Sequence, residues 1–213
     1  TTEDLSTYLD QKSQITAVDI SDNFLSYLKN KNIPGVATHK SFIESLHLEK
    51  KNFDAAFCRW LMIFVPDINV AIAKISEHLK PGATFALQEY ISYDSFSIAP
   101  DAAIMKKVID AIFESWMDQG GYPNQGRRLP IALEKNGFDV IEIEPIARVC
   151  RPHEPLWAWP ETFFQSFIPR LVQTGYLTTN DQTEFFTTWE TLKTTKGAFC
   201  VTPTVVNIIA KKR

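Results

Sequence analysis

Asp19 closes the apolar run "ITAVDIS", Ile15 to Ser21. A carboxylate at the end of a buried strand is costly unless it is paired or hydrogen-bonded. Three uses would repay it: a helix cap, a salt bridge, or a ligand carrying hydroxyl groups, whose hydrogens a carboxylate accepts. Ser21 and Asp22 follow at once and cap equally well the helix that begins near Asp22, so capping does not require Asp19.

Two further apolar runs end in reactive side chains. "ATFALQEY" ends in Gln88, Glu89 and Tyr90, and Glu89 could serve as a general base toward a proton-bearing acceptor. Group transfer to a good nucleophile needs alignment more than a base, so the acid is not obligatory. "FDAAFCRW" ends in Cys58, Arg59 and Trp60. No histidine or other base is placed by sequence to activate the Cys58 thiol. Arg59 suits a substrate anion or a brace for its loop, and Trp60 suits a pocket wall or the core. Arg127, Arg128 and Arg148 could meet a carboxylate or phosphate, or form surface ion pairs. His39, His47, His78 and His153 show no metal-ligand spacing, and no metal is expected.

The chain that must position these groups has 213 residues, 45% hydrophobic and 22% charged, with a net charge of −3. It is long enough for one domain with a real core. The charge balance gives no nucleic-acid footprint. Cys58, Cys150 and Cys200 are far apart and lack a Cys-x-x-Cys pair, which fits a reducing compartment. No apolar stretch approaches a membrane span and no signal peptide opens the sequence. These readings predict a cytoplasmic chain with neither a nucleic-acid nor a membrane partner.

Strand and helix alternate over the first 90 residues. "TTEDLSTYLD" reads as a helix with Leu5, Tyr8 and Leu9 on one face. "ITAVDI" is a strand, and "DNFLSYLKNK" is a helix turning Phe24, Leu25 and Leu28 inward. "GVATHKS" and Phe53 to about Cys58 are strands. "PDINVAIAKISEHLKPG" is a helix with Ile68, Ile72, Ile75 and Leu79 on one stripe, closed at Pro81-Gly82, and "ATFALQEYIS" is a strand. The alternation predicts a doubly wound, mostly parallel α/β sheet. The rhythm then changes. Ala102 to Gln119 is one helix, "GGYPNQGRR" a loop and "LPIALEKNGF" a short helix. "DVIEIEPIARVCR" alternates like an edge strand, residues 155–195 are helical and rich in aromatics, and "TVVNIIAKK" closes as a strand.

This ordered set resembles the class I S-adenosylmethionine-dependent methyltransferases acting on small molecules. "FDAAFCRWLMIFVPD" is similar to that family's fourth-strand motif, and "LKPGATFALQEY" to its fifth strand with the preceding turn. The likeness spans most of Thr1 to Glu89, then "LEKNGFDVIEIE" and the last strand. It implies a Rossmann-like sheet with a late antiparallel strand. It also implies that Asp19 takes the two ribose hydroxyls of S-adenosylmethionine, beyond the carboxyl end of its strand. Ile20 would then pack on the adenine. Phe42 stands where the family has an acid for the adenine amino group, which leaves that recognition to backbone around Ile43. Cys58 and Arg59 would pass the methionine end of the cofactor.

The family's glycine-rich turn after the first strand has no counterpart here. The expectation is that residues upstream of Thr1 supply that strand and turn, the helix at Thr1 being the one whose N-terminus would face the cofactor. Residues 1–90 are expected to form the cofactor-binding core and residues 91–128 and 150–200 a helical cap. Residues 129–149 and 201–213 would hold the last helix and strand pair, all within one domain. The aromatic residues of the cap would line an acceptor pocket, with Trp60, Tyr90, Trp116 and Trp157 the chosen wall residues, or pack the cap, or form a homodimer face. The expected activity is methyl transfer to a small apolar or aromatic acceptor. A non-catalytic module that keeps the fold is the alternative, and a nicotinamide-dependent oxidoreductase is a more distant one.

Overall fold

The computed structural model describes residues 1–10 and 12–213. In chain order the elements are α1 (Thr2–Tyr8), β1 (Ile15–Asp19), α2 (Asp22–Asn30), β2 (Val36–Lys40), β3 (Phe53–Arg59), α3 (Ile68–His78) and β4 (Leu79–Ser92). They continue with β5 (Ser97–Ala99), α4 (Ala103–Asp118), α5 (Leu129–Lys135), β6 (Phe138–Ile146) and β7 (Val149–Cys150). The last are α6 (Ala158–Gln173), α7 (Thr179–Thr194), β8 (Phe199–Val201) and β9 (Thr204–Lys212).

The alternation of the first half produces the expected α/β fold with parallel strands and a late antiparallel one. β1 pairs in parallel with β2, from Ile15 opposite Val36 to Asp19 opposite Lys40. β3 and β4 are parallel, and β9 enters antiparallel between β4 and β6, giving the order β3-β4-β9-β6. A small antiparallel sheet, β5-β8-β7, stands apart in the second half. Among the described residues β1 bonds only to β2 and β3 only to β4, so the two parallel pairs are separate sheets.

Burial follows from that separation. α2 caps on Ser21, whose hydroxyl accepts the Phe24 N–H at 3.3 Å, and turns Leu25 inward. Phe24, expected inside, is 69% exposed, because the two-stranded β1–β2 sheet gives α2 too narrow a surface to cover both residues. For the same reason no residue of α1 is buried, and Tyr8 and Leu9, on the shared face that the sequence predicts, are exposed.

The main sheet does have a core. Ile68, Ile72 and Ile75 of α3 and Leu129 and Leu133 of α5 pack on Phe85, Leu87, Phe138 and Ile208 of the strands. Asp67 caps α3 by accepting the N–H groups of Asn69 and Val70. The helix stops at His78, earlier than Pro81-Gly82. Leu79 is already extended and pairs with Phe53, as the residues leading into a proline prefer. Leu79 keeps its place in the core, buried as the first residue of β4 instead of the last turn of α3. β6 lies at the sheet edge, as its alternating pattern predicts, but Ile141 and Ile143, the apolar residues of that pattern, are exposed along with Glu142 and Glu144.

A second core joins α4, α6 and α7 to the carboxyl end of β4. It holds Ile112, Trp116, Trp157, Phe164, Ile168, Phe185 and Trp189. No helix among the described residues is long and apolar enough to cross a membrane.

Candidate active site

Asp19 ends β1 with its side chain half buried. Its Oδ1 accepts the backbone N–H of Ser21 at 2.8 Å, and Ser21, not Asp19, caps α2. Neither a cation nor a second N–H reaches the Asp19 carboxylate among the described residues, which leaves one oxygen free for a donor outside the fold. Lys40, its register partner on β2, instead pairs with Asp22. The two residues that leave the paired strands nearby are apolar and uncovered: Ile20 is 51% exposed and Phe42 is 63% exposed. Phe42 opens a 3-10 turn at Ile43–Ser45, and Ile43 packs inward against the main core. The adjoining ends of β1 and β2 thus carry one unused carboxylate oxygen and two exposed apolar side chains, the residue types suited to a polar diol attached to a flat ring.

β3 ends at a sharply turned corner. Cys58 is buried, and burial pushes its thiol well above the ordinary range, so it is no nucleophile. Arg59 is exposed, makes no ion pair among the described residues, and lays its guanidinium 4.9 Å from the Trp60 ring centre. Trp60 adopts φ 54°, a left-handed conformation that a bulky side chain rarely takes and that marks a held position. Its N–H donates to the Gln88 carbonyl at 3.0 Å, tying the corner to β4.

Glu89 supports the same corner from beneath. It has no exposed surface, and its Oε1 accepts the N–H groups of Leu61 and Met62, each at 2.8 Å. Burial raises its pKa to about 7, against the lowering effect of those backbone donors. Oε2 is buried without a partner. A general base must come within hydrogen-bond reach of the proton it removes, and Glu89 is directed into the turn and not outward.

Three of the four expected wall residues come together. Trp60 and Tyr90 stack with ring centres 5.6 Å apart and planes 3° from parallel, and Tyr90 stacks on Trp116 at 6.5 Å. Trp159 of α6 covers the other side of the Trp60 neighbourhood at 5.5 Å, and Tyr93 meets Tyr90 edge-on at 5.0 Å. Trp157 lies elsewhere, stacked on Trp189 at 4.5 Å inside the cap. Trp159, one of the cap aromatics expected to line a pocket or pack the cap, and Tyr93 complete the stack, and nothing in their spacing singles them out, since each reaches Trp60 or Tyr90 only through the fold.

The segment "GGYPNQGRR" does more than connect helices. Asn124 accepts the Tyr93 N–H at 2.7 Å, and Arg127 donates through Nε to the Ile91 carbonyl at 2.6 Å. Gly126 lies against the Tyr90 backbone, where a Cβ would meet the Tyr90 carbonyl oxygen at 2.7 Å. Arg127 is thereby a brace for the end of β4, and Arg128 lies 3.7 Å from the Tyr122 ring centre.

Residues 1–87 match the family model described as a methyltransferase domain. Solved structures extend the likeness over nearly the whole chain. One is a SAM-dependent methyltransferase from Methanosarcina mazei, at 14% identity and TM-score 0.57, covering 99% of this chain and 86% of that one. Another is phosphoethanolamine N-methyltransferase 2 of Haemonchus contortus, in complex with phosphomonomethylethanolamine and S-adenosylhomocysteine. It is 17% identical at TM-score 0.57 and covers 99% of this chain and 46% of that one. The [4+2]-cyclase SpnF is similar too, at 15% identity and TM-score 0.55, over 99% of this chain and 70% of its own. A sequence search of curated proteins gives no match. Residues 1–87 thus match a methyltransferase domain, and the chain as a whole shares the fold of solved SAM-dependent methyltransferases.

Proposed function

We propose that the chain transfers a methyl group from S-adenosylmethionine to a small apolar or aromatic acceptor. The observation that carries the reading is the free carboxylate oxygen of Asp19 at the end of β1, with Ile20 next to it in sequence and Phe42 just beyond the paired strand β2, both exposed. That donor set fits the cofactor's nucleoside. Asp19 would accept the ribose hydroxyl hydrogens, Ile20 and Phe42 would pack on the two-ring base, and backbone near Ile43 would meet its polar edge. When bound, the cofactor supplies a methyl group on a positively charged sulfur.

The chain's own contribution is placement. Trp60, half-buried at the carboxyl end of β3 and backed by the buried Tyr90 of β4, would edge the acceptor pocket, and Arg59 offers an exposed charge beside it. Glu89 is a positioning residue, since it fixes the Leu61–Met62 backbone and with it the strained Trp60 corner. No base is assigned, because aligning donor and acceptor can account for most of the rate in such a transfer. Residues 1–90 are read as the cofactor half and residues 91–128 and 150–200 as the cap that excludes water from it.

The likeness to a [4+2]-cyclase supports keeping a second reading, a fold that does other chemistry, because one fold carries many reactions. Incubation with S-adenosylmethionine and a panel of aromatic and apolar acceptors decides between them. Acceptor-dependent release of S-adenosylhomocysteine, lost in Asp19→Ala, is the expected result. Tight cofactor binding with no turnover of any acceptor in the panel would favour the second reading.

A further inference from the structure

The small sheet brings together two cysteines that are 50 residues apart in sequence. Cys150 on β7 lies directly opposite Cys200 on β8, both are wholly buried, and their Sγ atoms are in contact at 2.8 Å. Facing residues of an antiparallel ladder have Cα atoms about 4.5–5.5 Å apart. A disulfide spans Cα separations of about 4.4–6.8 Å, so the backbone need not move for these two sulfurs to bond. The third cysteine, Cys58, belongs to the other core and cannot compete for either partner.

We propose that Cys150 and Cys200 form a redox-controlled disulfide that closes the α6–α7 part of the cap into a covalent loop. The hydrogen bond from Cys200 lowers the pKa of Cys150, which marks Cys150 as the thiol that reacts first. With hydrogen peroxide as oxidant, the Cys150 thiolate attacks one peroxide oxygen and the O–O bond breaks. This gives a sulfenic acid and hydroxide, which takes up a proton as water. The Cys200 sulfur then displaces the sulfenic hydroxyl, forming the S–S bond and losing its proton to a second water. Two thiols and one peroxide become one disulfide and two waters. Access comes through β7, a two-residue strand at the sheet edge that local opening can release.

The bond would matter for the site because the enclosed segment carries Trp159 and Phe163, which meet Trp60 and Trp116. A loop of this length restrains the unfolded chain strongly, and Tm should rise by about 5 °C or more on oxidation. The full chain is treated with hydrogen peroxide, quenched, digested without reductant and mapped by mass spectrometry. The expected result is one linked peptide pair, Cys150 with Cys200, lighter by two hydrogens, with Cys58 still a thiol and the Tm shift reversed by dithiothreitol. Recovery of Cys150 and Cys200 as separate thiols or sulfinic acids, or a link through Cys58, would overturn the proposal. A Cys200→Ser variant should show no linked peptide and no reversible Tm rise. The mapping of the unmutated chain decides the matter whether or not that variant folds.

Discussion

Glu89 accepts the N–H of Met62 at 2.8 Å, so a carboxyl at the end of β4 holds the turn that leaves the neighbouring strand β3. The bond costs burial of an ionisable group, and that cost has a pH signature. Burial raises the folded-state pKa to about 7, from 4.5 when the side chain is free. Between those values the folded chain holds a proton that the unfolded chain has released. The group's contribution is therefore complete below pH 4.5, falls as pH rises, and is lost above about pH 7. The span amounts to about 3 kcal/mol.

Glu89→Gln keeps an oxygen acceptor for Leu61 and Met62 and removes the titration. Chemical denaturation from pH 4.5 to 8 should show wild-type stability falling relative to the variant across that window. Parallel curves for the two proteins would mean that Glu89 does not titrate in the folded chain.

Gly126→Ala should destabilise the fold by about 1–3 kcal/mol, lowering Tm by roughly 3–10 °C. The added methyl meets the Tyr90 carbonyl oxygen and Val206 Cγ1, at 2.7 and 2.8 Å, and neither β4 nor β9 can retreat from within the sheet. Thermal unfolding measures this, and an unchanged Tm would show that the 122–128 segment does not dock on β4 as described.

Amide exchange should be uneven. β4 is bonded on both sides and lined by Phe85 and Leu87, both almost wholly buried. β1 has one bonded neighbour and no fully buried residue. Amides of Ala17 and Val18 should exchange at least about tenfold faster than those of Ala86 and Leu87. Equal protection in native-state exchange would contradict the separation of the two sheets.

The elements legible in the sequence are those set by local pattern. The apolar run ending in Asp19, the α3 stripe and the alternating edge strand β6 each carry their own period, and the structure contains all three. The spacing of Leu79 matches the α3 stripe and so predicts helix there, but strand pairing with Phe53 just before Pro81 takes precedence. Periodicity places Phe24 inside, yet it is exposed, because periodicity reports which face is apolar and not whether anything covers it. Glu89 was legible as an unusual acid, but the direction of its carboxyl depends on the turn after a different strand. Cys150 and Cys200 could not be paired from sequence, since their contact exists only through the register of β7 on β8.

The measurement that tests the central claim most directly is calorimetric titration of the chain with S-adenosylhomocysteine, beside Asp19→Ala. Asp19 is partly exposed and its one internal bond is to the Ser21 N–H, so the substitution should leave the fold intact. The expected result is micromolar binding by the unmutated chain, weakened by at least about tenfold in the variant, the loss of one or two charge-assisted hydrogen bonds. Equal affinity in the two proteins, or no binding by the folded chain, would contradict the assignment of Asp19 to the ribose.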